Sequence, residues 1–306
     1  MKQILPIFVL IACILNSACN KDDYSSYRDI FPKREYGETL RILAIGNSFS
    51  NDSMEYIPDI LNNLGIKNVE LARISVDGCT LQYHKHLYDN NDERYLLYTS
   101  PTGINNWIKN DKEASIKQVL AMGEWDIITI QQASGVSGIY DSYTPHLKHL
   151  IKAIKDIQPQ AELVWHMTWS YSTNCTHNEY YKYDFNQLKM FNAITACTRH
   201  LMKDHKEIQR IIPSGTAIQS LRQSPINNPP KDLTRDGYHI DLGVGRYTLA
   251  CTWYEVLIYP YTRISMMGNG VRLKIGDIAV TDTIALYCQK AAKQATLYPF
   301  NIQNIE

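Results

Sequence analysis

Apolar residues in this chain fall into short continuous runs, separated by longer segments with helical spacing. The run Ile42 to Ile45, closed by Gly46, predicts a short strand buried on both faces, as in a parallel sheet. Further strands are predicted at 67–76 (through Val69, Leu71 and Ile74), 125–130, 161–167 and 210–212. Between them, Met54 to Leu64, 114–122, 145–157, 186–204 and 243–259 read as helices, and 281–297 as a closing one. Polar Ser50, Asn51, Asp52 and Ser53 are suitable N-caps for the first helix. Residues 83–110 show no clear period and read as a long surface excursion, and Gly268-Asn269-Gly270 suggests a small hairpin. Strands alternating with helices throughout predict parallel βαβ units. The expected fold is therefore α/β, a three-layer α/β/α sandwich around a mainly parallel sheet of about five strands.

The N-terminus departs from this pattern. An apolar run from Ile4 to Leu15 follows Lys2 and precedes Asn16-Ser17-Ala18-Cys19. It is short for a membrane span and suits a secretory leader. A cysteine after small residues resembles a bacterial lipobox, which implies a signal peptide over 1–18, lipidation at Cys19 and a polar tether over 19–38. The remaining 39–306 read as one domain. The expected location is the cell envelope, lipid-anchored at the membrane.

Composition narrows the chemistry. Lys+Arg and Asp+Glu both total 31, so no electrostatic case exists for a nucleic-acid partner. Beyond the leader and Cys19, five widely spaced cysteines remain, without a Cys-x-x-Cys, which suggests neither a disulfide framework nor a zinc site. The other histidines lack a ligand pattern such as His-Glu-x-x-His, so no metal is expected.

Two stretches could carry catalysis. Ser48 lies just past the first strand, at the carboxyl edge of the sheet, where open α/β proteins bind ligands. On its own it could equally be a helix cap. Far downstream, Asp236 and His239 stand three apart around Gly237, just before a helix. A turn there can let the carboxylate hold one imidazole nitrogen while the other takes a proton from a hydroxyl.

Together these stretches resemble the SGNH (GDSL-like) hydrolase superfamily, in a branch found in bacterial lipoproteins. Gly46-Asn47-Ser48-Phe49-Ser50 is similar to its first block, Gly78 to its block-two glycine, and Asp236-Gly237-Tyr238-His239 to its last block. Gln131-Gln132-Ala133-Ser134 and Trp169-Ser170-Tyr171 are similar to further motifs of that branch. The resemblance implies a flavodoxin-like sheet and a Ser48-His239-Asp236 triad working without a cofactor. It also implies an oxyanion hole from the N–H groups of Ser48 and Gly78. The usual Gly-x-Asn-Asp is absent, so Gln131 or Gln132 is the expected replacement donor. Asn47, His84, Trp169 and Tyr171 are candidate substrate contacts, the aromatic ones as sugar-stacking planes. The expected function is a serine esterase removing short acyl groups from a carbohydrate. The alternatives are a catalytically weak glycan-binding lipoprotein and a lipase or thioesterase.

Overall fold

The computed structural model describes residues 36–306 apart from Asn105. The leader, Cys19 and the tether up to residue 35 lie outside the described residues. Seven strands form the main sheet: β1 (Leu40–Gly46), β2 (Val69–Ser75), β3 (Leu96–Ser100), β4 (Ile108–Lys109), β5 (Ile127–Ile130), β6 (Glu162–His166) and β7 (Ile208–Ile212). Their spatial order is β4-β3-β2-β1-β5-β6-β7. The neighbours from β2 to β7 pair in parallel, whereas β3 and β4 run antiparallel on the β2 edge. Counting parallel strands alone, the order is second, first, third, fourth, fifth, which is the flavodoxin-like arrangement. The fold class is as the hydrophobic pattern predicts.

The strand count is not. Seven replace five because the 83–110 segment, expected to be irregular, holds β3, β4 and a helix. Alternation is visible only weakly in β3, next to the edge strand β4, where only Leu97 and Ser100 are buried. By contrast, β1 buries every residue except Arg41, which explains its legible apolar run.

Ten helices accompany the strands among the described residues. In chain order they are α1 (Ser48–Met54), α2 (Ile57–Asn63), α3 (Leu81–Asp89), α4 (Ile116–Leu120), α5 (His146–Ile157), α6 (Gln187–Asp204), α7 (Ser214–Leu221), α8 (Val244–Trp253), α9 (Tyr259–Thr262) and α10 (Asp282–Leu297). Helices α1, α2, α7, α8 and α10 pack with one another, as do α3, α4 and α5. A single π turn (Tyr254–Ile258) joins α8 to α9. The hairpin forms not at Gly268-Asn269-Gly270 but further along, between β8 (Leu273–Ile275) and β9 (Ile278–Val280), where Gly276 supplies the positive φ of a two-residue turn. The cysteines at 79, 175, 197, 251 and 288 are all free and buried, and behave as core residues.

Helix α1 starts earlier than its polar lead-in suggests. Asn47 is the N-cap, its Oδ1 accepting from the Phe49 N–H at 3.0 Å, and Ser48 is the first helical residue. Gly46 permits this abrupt exit from β1. A Cβ there would lie 2.1 Å from Ser50 Oγ and 3.1 Å from Gln131. Ser48 therefore sits at the β1/β5 switch point, beyond the carboxyl ends of the strands.

Candidate active site

A cleft of about 450 Å³ opens at that switch point, lined by Ser48 and His239 together with Phe49, Ser134, His177 and Tyr238. Three side chains form a hydrogen-bonded line into it. Ser48 Oγ donates to His239 Nε2 at 2.8 Å, and His239 Nδ1 donates to Asp236 Oδ2 at 2.6 Å. The backbone N–H groups of Tyr238 and His239 donate to Asp236 Oδ1 at 3.2 and 2.7 Å. Burial raises the Asp236 pKa, but the hydrogen bonds from the His239 ring and from these amides outweigh it, so the carboxyl stays below its ordinary value. An ionised Asp236 fixes the proton on Nδ1 and leaves Nε2 to accept.

The loop carrying Asp236 and His239 is held from three sides. Its own N–H of Arg235 donates to the His239 carbonyl at 3.0 Å, and Thr234 pairs with Ile240 as an antiparallel bridge. The Arg235 guanidinium reaches back to Asp52 on α1, with Nη1 contacts of 2.9 and 3.1 Å, and also bonds the Ile240 carbonyl. Asp52, 1% exposed, accepts a second cation, Arg246 of α8, at 2.7 Å. One buried carboxylate thus ties the helix of Ser48 to the loop of His239. Trp169 adds a third tie: its ring stacks on Phe49 (centroids 4.1 Å apart, planes at 3°), and its Nε1 donates to the Tyr238 carbonyl at 2.8 Å.

Backbone N–H groups of the cleft-lining residues without an acceptor among the described residues include those of Ser48 and Gly78. Gly78 has φ +63°, a conformation that other L-residues rarely adopt. Asn47 Nδ2 donates to the Cys79 carbonyl at 3.3 Å and so holds the Gly78 turn against the start of α1.

Several expected contacts are corrected by the packing. Gln131 and Gln132 are 1% exposed and line no part of the cleft. Gln131 Nε2 donates to Asn47 Oδ1 at 2.7 Å, while its Oε1 accepts from Ser50 Oγ at 2.6 Å and stands 2.7 Å from His166 Nδ1. Gln132 Oε1 accepts from the Leu81 and Ala133 N–H groups, and its Nε2 donates to Ser142. Both amides are used up inside the fold, so neither faces a substrate. Asn47 lines the cleft, but its carboxamide is spent on Phe49, Gln131 and Cys79. His84 is buried, bonded to Tyr95 Oη at 2.7 Å, and burial pushes its pKa down to about 3, so it is a neutral core residue remote from the cleft lining. Trp169 and Tyr171 are both 0% exposed and cannot offer open faces to a sugar.

Sequence reasoning missed the cleft residues Ser134, His177, Arg235 and Tyr238 as site candidates. Ser134 was present as the last residue of the Gln-Gln-x-Ser motif, and Arg235 and Tyr238 flank the Asp and His. His177 has no local signal at all. It reaches the site because its Nδ1 accepts the Glu179 N–H at 3.2 Å and its ring meets Tyr238 edge-on at 4.9 Å. Burial lowers its pKa, so the neutral ring carries its proton on Nε2.

Fold and site together define an α/β/α protein with a Ser-His-Asp line at the carboxyl edge of a flavodoxin-like sheet. The chain belongs to the DUF4886 family, described as a domain of unknown function, whose model matches residues 41–283. A crystal structure of a DUF4886 family protein from Bacteroides uniformis is similar at 36% identity and TM-score 0.78, covering 87% of this chain and 98% of its own. More distant likenesses include a putative SGNH hydrolase from Slackia heliotrinireducens (20% identity, TM-score 0.45, 69% of this chain and 95% of its own). A putative GDSL-like lipase from Parabacteroides merdae is another (15%, 0.48, 73% and 98%). At that distance these two bear on neither substrate nor chemistry. A comparison with curated proteins found no match.

Proposed function

We propose that this chain is a serine esterase of the SGNH type that removes short acyl groups, acetyl foremost, from a carbohydrate. The observation that carries the reading is the hydrogen-bonded line Ser48–His239–Asp236 opening into a cleft. Ser48 Oγ attacks the ester carbonyl while His239 Nε2 takes its proton, and the imidazolium is stabilised by Asp236. The negative charge that develops on the carbonyl oxygen is received by the N–H groups of Ser48 and Gly78. The tetrahedral adduct collapses as His239 returns the proton to the departing alkoxide, giving an acyl-Ser48 and a free alcohol. Water, deprotonated by the same nitrogen, attacks the acyl-enzyme, releases the carboxylic acid and restores Ser48.

The lining supports a short acyl group. Among the described residues no Leu, Ile, Val or Met side chain lines the cleft, and Phe49 and Tyr238 are its only Phe, Tyr or Trp residues. Each added acyl methylene therefore forgoes most of the ~0.8 kcal/mol that an apolar groove would contribute. The polar groups of His177, Arg235 and Asp77 suit a hydroxylated alcohol component. A lipid anchor at Cys19 would set this activity among extracellular polymers.

The test is kcat/KM on acetyl, butyryl and octanoyl esters, together with acetate release from acetylated glycans. Preference for acetyl and release of acetate are expected, and both should vanish in Ser48→Ala. Preference for octanoyl with no glycan acetate released would replace this reading by a lipase.

A further inference from the structure

The residues expected to supply the third oxyanion donor are buried and engaged elsewhere, yet the same loop ends in a hydroxyl that lines the cleft. Ser134 follows β5 and opens a short 3₁₀ turn (Ser134–Val136) beside Ser48 and His239 in the cleft wall. Its Oγ has one partner among the described residues, Tyr171 Oη, at 2.9 Å. The direction of that bond decides what Ser134 can do.

Tyr171 is fully buried, and burial pushes its phenol well above the usual range, so it keeps its proton. Two acceptors stand near that proton. His177 Nδ1 is 3.5 Å away and already takes the Glu179 N–H at 3.2 Å. Ser134 Oγ is nearer by 0.6 Å (3.5 − 2.9) and takes no other donor. The phenol thus donates to Ser134, and the serine proton is left without a protein acceptor and turns to the cleft. A hydroxyl that accepts one hydrogen bond is polarised as a donor for the next.

We propose that Ser134 Oγ–H is the third oxyanion donor, acting with the N–H groups of Ser48 and Gly78, and that Tyr171 is the residue that positions it. This rests on the serine-esterase reading. It also accounts for the missing Gly-x-Asn-Asp: the donor survives as a hydroxyl at the end of the loop, while the glutamines before it brace Asn47 and the Leu81 turn.

The experiment compares Ser134→Ala, Ser134→Thr, Tyr171→Phe and Ser48→Ala on an acetyl ester and in the rate of labelling by a fluorophosphonate. Attack on phosphorus places charge on the P=O oxygen in the same hole as the ester oxyanion, so both rates read the same donors. Ser134→Ala is expected to lose about 10²–10³ in kcat with KM nearly unchanged, the scale for one oxyanion donor, and to slow labelling alike. Ser134→Thr, which keeps the hydroxyl, should recover most of both rates. Tyr171→Phe should lower kcat in the wild-type background and change little once Ser134 is alanine, because the two act through one proton. Ser134→Ala within about threefold of wild type in both assays, with Ser48→Ala inactive, would overturn the donor role and leave the esterase reading standing. A wild-type chain that neither turns over nor labels would overturn both.

Discussion

At the scale of single residues, the site depends on which proton sits where. Asp236 Oδ2 accepts from His239 Nδ1 at 2.6 Å, so Asp236→Asn, which offers a donor in place of an acceptor, leaves the wrong tautomer facing Ser48. A loss of about 10⁴ in kcat is expected, measurable in the same ester assay with Ser48→Ala as the floor. The glutamines behave differently. Gln131 links Asn47, Ser50 and His166 in a buried cluster, so Gln131→Ala strands partners that have no water to turn to. Each stranded group costs about 1–3 kcal/mol, and a lower urea midpoint is expected, with a smaller effect on kcat than Ser134→Ala. If Gln131→Ala kept full stability but lost catalysis on the oxyanion scale, its amide would face the substrate after all.

At the scale of elements, the decisive contact is between α1 and the loop before α8. The two are 183 residues apart at Asp52 and Arg235, and nothing in their local sequences brings them together. Asp52 sits 1% exposed between two guanidinium groups, so replacing it leaves two partly exposed positive charges without their shared counter-ion. Removing one partner of such a pair costs about 3–5 kcal/mol when burial is complete, and less here because Arg235 and Arg246 reach water. Asp52→Asn should lower the unfolding free energy and also kcat, although the Asp52 carboxylate bonds neither the Ser48 nor the His239 side chain. Denaturant unfolding and turnover measured on the same variant check this; unchanged kcat would show that Trp169 and the backbone bridge alone hold the loop.

At the scale of the whole molecule, pH enters through Asp241, which caps α8 by accepting from the Gly243 and Gly245 N–H groups. Burial, opposed by these bonds, raises its carboxyl to about 6. Because the folded value lies above the unfolded one, its contribution to stability is full below the ordinary carboxylate range and is lost as pH rises through about 6. Asp241→Asn, neutral at every pH, should therefore gain on wild type by on the order of 2 kcal/mol between pH 4 and pH 8. Urea titrations at the two pH values provide the comparison, and a gap that widens in favour of wild type at high pH would reverse the sign. The proposed anchor belongs to this scale as well. Metabolic labelling with a tagged fatty acid should mark the wild type and not Cys19→Ala, since firm membrane attachment takes more than one acyl chain on the processed terminus.

Periodicity carries information about an element's own two faces, and that sufficed for the parallel strands, the main helices and the layered α/β class. The Ser48, Asp236 and His239 set was readable for a related reason. Ser48 stands two residues past a strand buried everywhere but at Arg41, and Asp236 and His239 share one tight turn, so where each stands rests on short-range geometry, whereas the meeting of Ser48 with His239 spans 191 residues. The edge strand β4 and its neighbour β3 escaped because a short, half-solvated strand buries too little to leave a pattern. Side-chain direction in the loops escaped more completely. Trp169 and Tyr171 look like open stacking planes in the sequence, yet both are sealed in the core, where Trp169 braces Phe49 and Tyr171 meets Ser134. Gln131, Gln132 and Ser134 stand within four consecutive residues, and only packing against Asn47, Ser142 and Tyr171 decides that the hydroxyl, not an amide, faces the cleft. A loop residue's direction is set by partners tens to hundreds of residues away, and those partners meet only when the sheet is assembled.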